Sequence, residues 1–238
     1  MNFPANYIHT LLGVPILIIF TIASLRSYQK TKNKVSFYLG CATFFYMLTM
    51  AVIAIPALFT ESSSTLTIVF LVASILEVVG GIFFWATAAR IYAPRNSLVR
   101  LLIVGSSIAI ALVAIFFAIR DFSAVSVTTI KQGAYTIVNS PASREYMVIL
   151  SLQYASSIFI ALALWRQGRD TKLLRDKVRL RVLSGVFALI FVVFALMPFG
   201  ASSNGVITIA QSLQLMLGFA LLGIFMAITL LIRNDKKA

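Results

Sequence analysis

The chain has 238 residues, 60% of them hydrophobic and only 11% charged, with a mean hydropathy of +0.97. A soluble domain of this size needs far more polar surface, so the composition predicts an integral membrane protein of helical class. The net charge of +13 does not point to nucleic acid, because the basic residues cluster between apolar runs in the manner of membrane topology signals.

Single residues exclude further classes. Cys41 is the only cysteine and His9 the only histidine. An intrachain disulfide, a cysteine-cluster metal site, bis-histidine haem and a histidine-based intramembrane metal site are all ruled out. No basic segment precedes the first apolar run, so no cleaved signal peptide is expected.

Seven apolar runs approach or exceed the roughly 20 residues that span a bilayer. They are Ile8–Leu25, Val35–Phe59, Leu66–Arg90, Leu101–Ile119, Tyr146–Trp165, Val182–Phe199 and Val206–Ile232. They are continuous rather than alternating, which favours helices over barrel strands. The expected fold is one all-α, seven-helix transmembrane domain covering residues 1–238.

Basic residues set the expected orientation. Arg26, Lys30, Lys32 and Lys34 follow the first run, and Arg90, Arg95 and Arg100 follow the third. Arg166, Arg169, Lys172, Arg175, Lys177, Arg179 and Arg181 follow the fifth, and Arg233, Lys236 and Lys237 follow the seventh. The other side carries only Arg120, Lys131 and Arg144. The positive-inside rule places the N-terminus outside and the C-terminus in the cytoplasm, in a multi-pass protein expected in the plasma membrane.

Two connections are long. Between the fourth and fifth runs, Val125–Ile130 and Ala134–Val138 are β-branched stretches around Gly133. They read as an outer β-hairpin capping the bundle. The Arg166–Arg181 connection is dense in positive charge. It reads as a lipid-headgroup-facing segment or as a docking site for a cytoplasmic protein.

The first three and last three runs share a layout. Pro56 and Pro198 each lie near the end of a second run, and a serine-rich turn follows each. Ser74, Glu77 and Gly81 match Gln211, Gln214 and Gly218 at a constant offset, and the i, i+3, i+7 spacing puts each trio on one helix face. This 3+1+3 parallel arrangement resembles, as topology alone, the SWEET sugar facilitators and the opsin-like seven-helix proteins. The motifs of neither are present. Val206–Ile232 holds no lysine for a retinal Schiff base and no Asn-Pro-x-x-Tyr, Ala89-Arg90-Ile91-Tyr92 stands where Asp-Arg-Tyr would, and the fifth run lacks proline. No family follows from the resemblance.

Glu77 is the one ionisable side chain within the third run before Arg90. An acid in the middle of an apolar span is costly and marks a candidate functional site. It can carry a proton, hold a cation or face a cationic substrate; the bland alternative is a protonated carboxyl bonded to a neighbouring helix. Ser74, Tyr46, Gln153, Tyr154, Gln211 and Gln214 lie at similar depth. With Glu77 they form the candidate ligand-binding set, or else interhelical packing bonds. One membrane carboxylate with no histidine or second acid beside it does not make a hydrolase, so no catalytic residue, metal or cofactor is expected.

The expected function is a receptor-like, sensory membrane protein. It would bind a small ligand in an outward-facing polar pocket and act through a separate cytoplasmic partner. The alternative is a small-solute transporter or facilitator of 3+1+3 type, with Glu77 as its proton or cation site.

Overall fold

A computed structural model describes residues 3–4, 8–60, 62–132, 135–139 and 142–200. Its helices are α1 (Ile8–Thr31), α2 (Lys34–Phe59), α3 (Ser63–Tyr92), α4 (Ser97–Ala124), α5 (Arg144–Tyr154), α6 (Ser156–Asp170) and α7 (Leu174–Gly200). Five membrane-length segments lie among them: Lys34–Pro56, Ser63–Tyr92, Ser97–Ala124, Arg144–Asp170 and Asp176–Leu196. Each is long and apolar enough to cross a bilayer, and the chain is a multi-pass membrane protein. The run Val206–Ile232, with Gln211 and Gln214, lies outside the described residues, as does Glu61.

The helices overrun the apolar stretches that predict them. Backbone hydrogen bonding inside a helix does not depend on side-chain polarity, so α1 continues through Arg26 and Lys30 to Thr31. Lys32 then adopts a left-handed φ of 53°, and its N–H donates to the Tyr28 carbonyl at 2.7 Å. Asn33 starts α2 by accepting the Val35 N–H at 3.0 Å. Two residues thus reverse the chain between α1 and α2.

The α3–α4 turn is built on the same logic. Proline at 94 cannot extend a helix, so α3 stops at Tyr92. The Arg100 guanidinium donates to the carbonyls of Ala93 and Pro94 at 2.8 and 2.6 Å. It thereby satisfies acceptors left over at the helix end. Asn96 caps α4 by accepting from the Val99 N–H.

Helix α4 reaches Ala124 rather than Ile119, so Asp121 lies within a helix, contrary to the apolar-run boundary. The connection to α5 holds two strands, β2 (Thr128–Gln132) and β3 (Tyr135–Asn139), paired antiparallel, and β1 (Phe3–Pro4) runs parallel to β3. Between α6 and α7 only residues 171–173 are non-helical. The basic connection predicted there is therefore a tight helical hairpin with Leu173 and Leu174 exposed at its tip.

Helix α3 is the hub, packing against α2, α4, α5 and α6, while α7 packs against α5 and α6. A Cβ on Gly80 would stand 3.4 Å from Phe45 Cβ and 3.5 Å from the Ala42 carbonyl, ordinary contact distances, so α2 and α3 meet there at normal packing spacing. Hydroxyls stitch the same contacts: Thr21 to Thr43 between α1 and α2, Thr49 to the Ala73 carbonyl, and Ser184 to the Ala161 carbonyl. Outside, α4 exposes Leu101, Leu102, Leu112 and Phe116, the surface a bilayer covers.

Candidate functional site

The fifth apolar run lies in one 27-residue helical span, Arg144–Asp170, which tightens for one turn at Ala155, where α5 passes into α6 with the backbone still right-handed helical (φ −57°, ψ −24°). The Ala155 N–H donates to the Leu152 carbonyl and the Ile158 N–H to the Ala155 carbonyl, so the ladder shortens to i→i−3 for one turn. The local cause is the serine pair Ser156 and Ser157. Ser157 Oγ donates to the Tyr154 carbonyl at 2.7 Å and competes with the regular ladder.

The tightened turn faces the middle of α3. Tyr154 Oη donates to the Glu77 carbonyl at 2.9 Å, and Gln153 Nε2 donates to the adjacent Val78 carbonyl at 3.2 Å. Both side chains are fully buried, each at 0% exposure. Gly81 makes room for the amide: a Cβ there would lie 2.3 Å from Gln153 Cγ. Two predicted ligand residues thus use their donors on α3 backbone. Such a bond is worth about 0.6–2 kcal/mol in a membrane.

Tyr154 is also the centre of an aromatic cluster. Its ring stacks on Phe194 of α7 at 3.8 Å and lies 5.6 Å from Phe84 and 6.2 Å from Tyr46. Stacking on one face and the Oη bond at the other end hold the ring in a single orientation.

Glu77 is only half-buried. It lies deep among protein atoms, with the hydroxyls of Tyr46, Tyr146 and Tyr154 within electrostatic reach of its carboxylate. No cationic side chain lies in α2 from 35 to 59, α3 from 66 to 89, or the fifth and sixth apolar runs. Glu77 has no ion pair among the described residues.

Of the predicted set, the structure gathers Tyr46, Ser74, Glu77, Gln153 and Tyr154 around one stretch of α3. Sequence reasoning missed Tyr146. It is 3% exposed, and its hydroxyl lies beside that of Ser74. Its signal was available, since Tyr146, Leu150, Gln153 and Ser157 follow an i, i+4, i+7, i+11 stripe. Gln153 Oε1 and Ser156 Oγ are buried without hydrogen-bond partners among the described residues.

No protein-family model matches the chain, and no curated protein matches it significantly. The chemistry must be argued from the residues themselves. Among the described residues they provide one acid without an ion pair, nearby phenols, an amide oxygen and a serine hydroxyl without hydrogen-bond partners, and a tightened helix turn facing them. Among the described residues no three metal-ligating side chains come together.

A second polar cluster, unforeseen from sequence, lies at the hairpin end of the bundle. Asp121 is buried; its Oδ1 accepts from Arg120 Nη2 at 2.7 Å and its Oδ2 accepts the Ser143 N–H at 2.8 Å. Arg120 Nη2 also donates to Ser143 Oγ and lies 3.7 Å from Glu145, with its guanidinium over the Phe117 ring. Ser143 caps α5 by accepting from the Tyr146 N–H. The cluster ties the end of α4 to the start of α5, two residues before Tyr146.

Proposed function

We propose that the chain is a seven-helix, receptor-like sensory protein of the plasma membrane, with its N-terminus outside. A small ligand enters between the helices from the hairpin side, contacts Glu77, and shifts α5 and α6 about the turn at Ala155. The observation that carries this reading is the juxtaposition of a half-buried acid, without an ion pair among the described residues, with the tightened turn at Ala155 in the adjacent span. A turn with i→i−3 bonds can relax to the regular i→i−4 ladder, so it is an element that a ligand can bias. Helix α6 leads directly into the basic α6–α7 hairpin, whose exposed Leu173 and Leu174 offer a cytoplasmic partner both charge and apolar surface.

The mid-membrane acid also allows a second reading, a transporter in which Glu77 carries a proton or cation. Against it, Glu77 has no ion pair among the described residues, and Arg120 and Asp121 in the α4 span are engaged with each other. Reconstitution in liposomes separates the two. The sensory reading predicts no proton or solute uptake that differs between the wild type and Glu77→Gln. Uptake abolished by Glu77→Gln would overturn it in favour of transport.

A further inference from the structure

The base of the α6–α7 hairpin gathers cations around one indole. The Arg181 guanidinium lies 5.1 Å from the centre of the Trp165 ring, and Trp165 is half-exposed where the apolar stretch of α6 ends. A tryptophan so placed sits at the headgroup level of a bilayer. Gly168 fixes how the two helices pair. A Cβ there would meet Leu180 Cβ at 3.2 Å, and Arg181 Cγ and the Lys177 carbonyl at 3.5 Å each. Arg169 follows Trp165 by four residues on α6, and Lys177 precedes Arg181 by four on α7. Residues four apart share a helix face. Arg169 and Lys177 therefore come to one level, a turn nearer the hairpin tip, on the side that Trp165 and Arg181 define.

The nearby acids do not cancel this charge. From Arg166 to Arg181 there are seven basic residues and two acidic ones. Asp170 lies 3.8 Å from Arg169, but the two side chains are 76% and 77% exposed, and such pairs are worth little. Asp176 faces Arg179 instead, at 3.5 Å. Depth along the helices separates the cations from the apolar tip. A helical turn rises about 5.4 Å, and the headgroup layer is about 5–7 Å thick on each side of a bilayer. Arg169 and Lys177, one turn beyond Trp165, fall within that layer. Leu174 lies about 10 Å beyond Arg181 along α7, past the headgroups.

We propose that Arg169, Lys177 and Arg181, with Trp165 beneath them, form a binding site for the headgroup of an anionic phospholipid. Charge complementarity gives the chemistry of the occupant, and the depth of the three cations makes a lipid its source. The lipid phosphodiester pairs with Arg181 at the level of the indole. Arg169 and Lys177 balance the net negative charge of the headgroup, which phosphatidylcholine lacks. Leu173 and Leu174 stay clear of the site, in water. The site is separate from Glu77 and does not depend on the reading of that residue.

The test uses the full chain in phosphatidylcholine nanodiscs. Trp85→Phe leaves Trp165 as the only tryptophan. A fraction of the lipid carries bromine on the acyl carbons nearest the headgroup, which quenches an indole in contact with it. Brominated phosphatidylglycerol and brominated phosphatidylcholine are compared at equal mole fraction and ionic strength. Phosphatidylglycerol is expected to win contact with Trp165 by at least about fivefold, the worth of one basic side chain at an anionic surface. Arg169→Gln with Lys177→Gln leaves Trp165 and Arg181 in place and should bring the two lipids to within about twofold of each other. Arg26→Gln with Lys30→Gln removes two charges from the end of α1 and should leave the preference unchanged. If Trp85→Phe does not fold, the wild type with Trp165→Phe as its background gives the same comparison.

No preference for phosphatidylglycerol in the wild type overturns the proposal. So does an equal loss in both double variants, which marks diffuse attraction rather than a site. Relief of quenching by inorganic phosphate at constant ionic strength marks a free anion as the occupant and overturns it too. Polyglutamate binding that is lost in Arg169→Gln with Lys177→Gln, without any lipid preference, overturns it in favour of an acidic protein.

Discussion

Gly81→Val is expected to destabilise the bundle by about 1–3 kcal/mol, the usual cost of overpacking a filled interior. The first added carbon already falls 2.3 Å from Gln153 Cγ, well inside contact distance. Gln153 cannot step aside freely, because it is fully buried and its Nε2 is bonded to the Val78 carbonyl. The variant must either separate α3 from α5 or break that bond. Reversible unfolding in mixed micelles measures the cost, and a double-mutant cycle assigns its source. In a Gln153→Ala background the valine should cost much less, since the obstructing atoms are gone. An equal cost in both backgrounds would show that the penalty lies elsewhere.

Asp121→Ala should cost about 2 kcal/mol, the range for charge-assisted hydrogen bonds with a partly exposed partner. The carboxylate serves two masters: the half-exposed Arg120 guanidinium and the backbone N–H of Ser143 at the start of α5. Removing it leaves that N–H without its acceptor and frees the α5 cap. Arg120→Ala should cost less than about 1 kcal/mol, because Arg120 is 45% exposed and water replaces it. Asp121→Asn should fall between, since it keeps an acceptor for Ser143 but loses the charge. The order Asp121→Ala, Asp121→Asn, Arg120→Ala is the checkable content. A larger cost for Arg120→Ala would show that the guanidinium, not the carboxylate, organises the cluster.

Five of the seven expected spans were legible because a bilayer selects for continuous apolar length, a property written locally in the residues. Their ends were less legible. Arg26 and Lys30 read as a loop but continue α1, because a helix can leave the hydrocarbon region and carry charge with it. The hairpin strands were visible as β-branched runs about Gly133, and β2 and β3 occupy that connection. The tightened turn at Ala155 was not visible, since neither proline nor glycine marks it; the Ser157 hydroxyl bonds to the Tyr154 carbonyl there. Glu77, Tyr46, Ser74, Gln153 and Tyr154 stood out by type and depth. Their partners did not, because which carbonyl a glutamine reaches depends on helix rotation and on the missing side chain at Gly81. The Asp121 cluster was hidden for a different reason. Arg120 and Asp121 are sequence neighbours just past an apolar run, where a charged pair reads as loop, and Ser143 lies twenty-two residues away.

The central claim is that Glu77 borders a space reached from outside. Cys41 is the only native cysteine, so a Cys41→Ala background makes single thiols unambiguous. Ser74→Cys is nearly isosteric and lies one turn from Glu77 on the same face of α3. A membrane-impermeant thiol reagent added outside sealed, oriented vesicles or intact cells should label Ser74→Cys. Labelling only from the cytoplasmic side, or only after the protein is unfolded, would contradict an outward-facing site at Glu77.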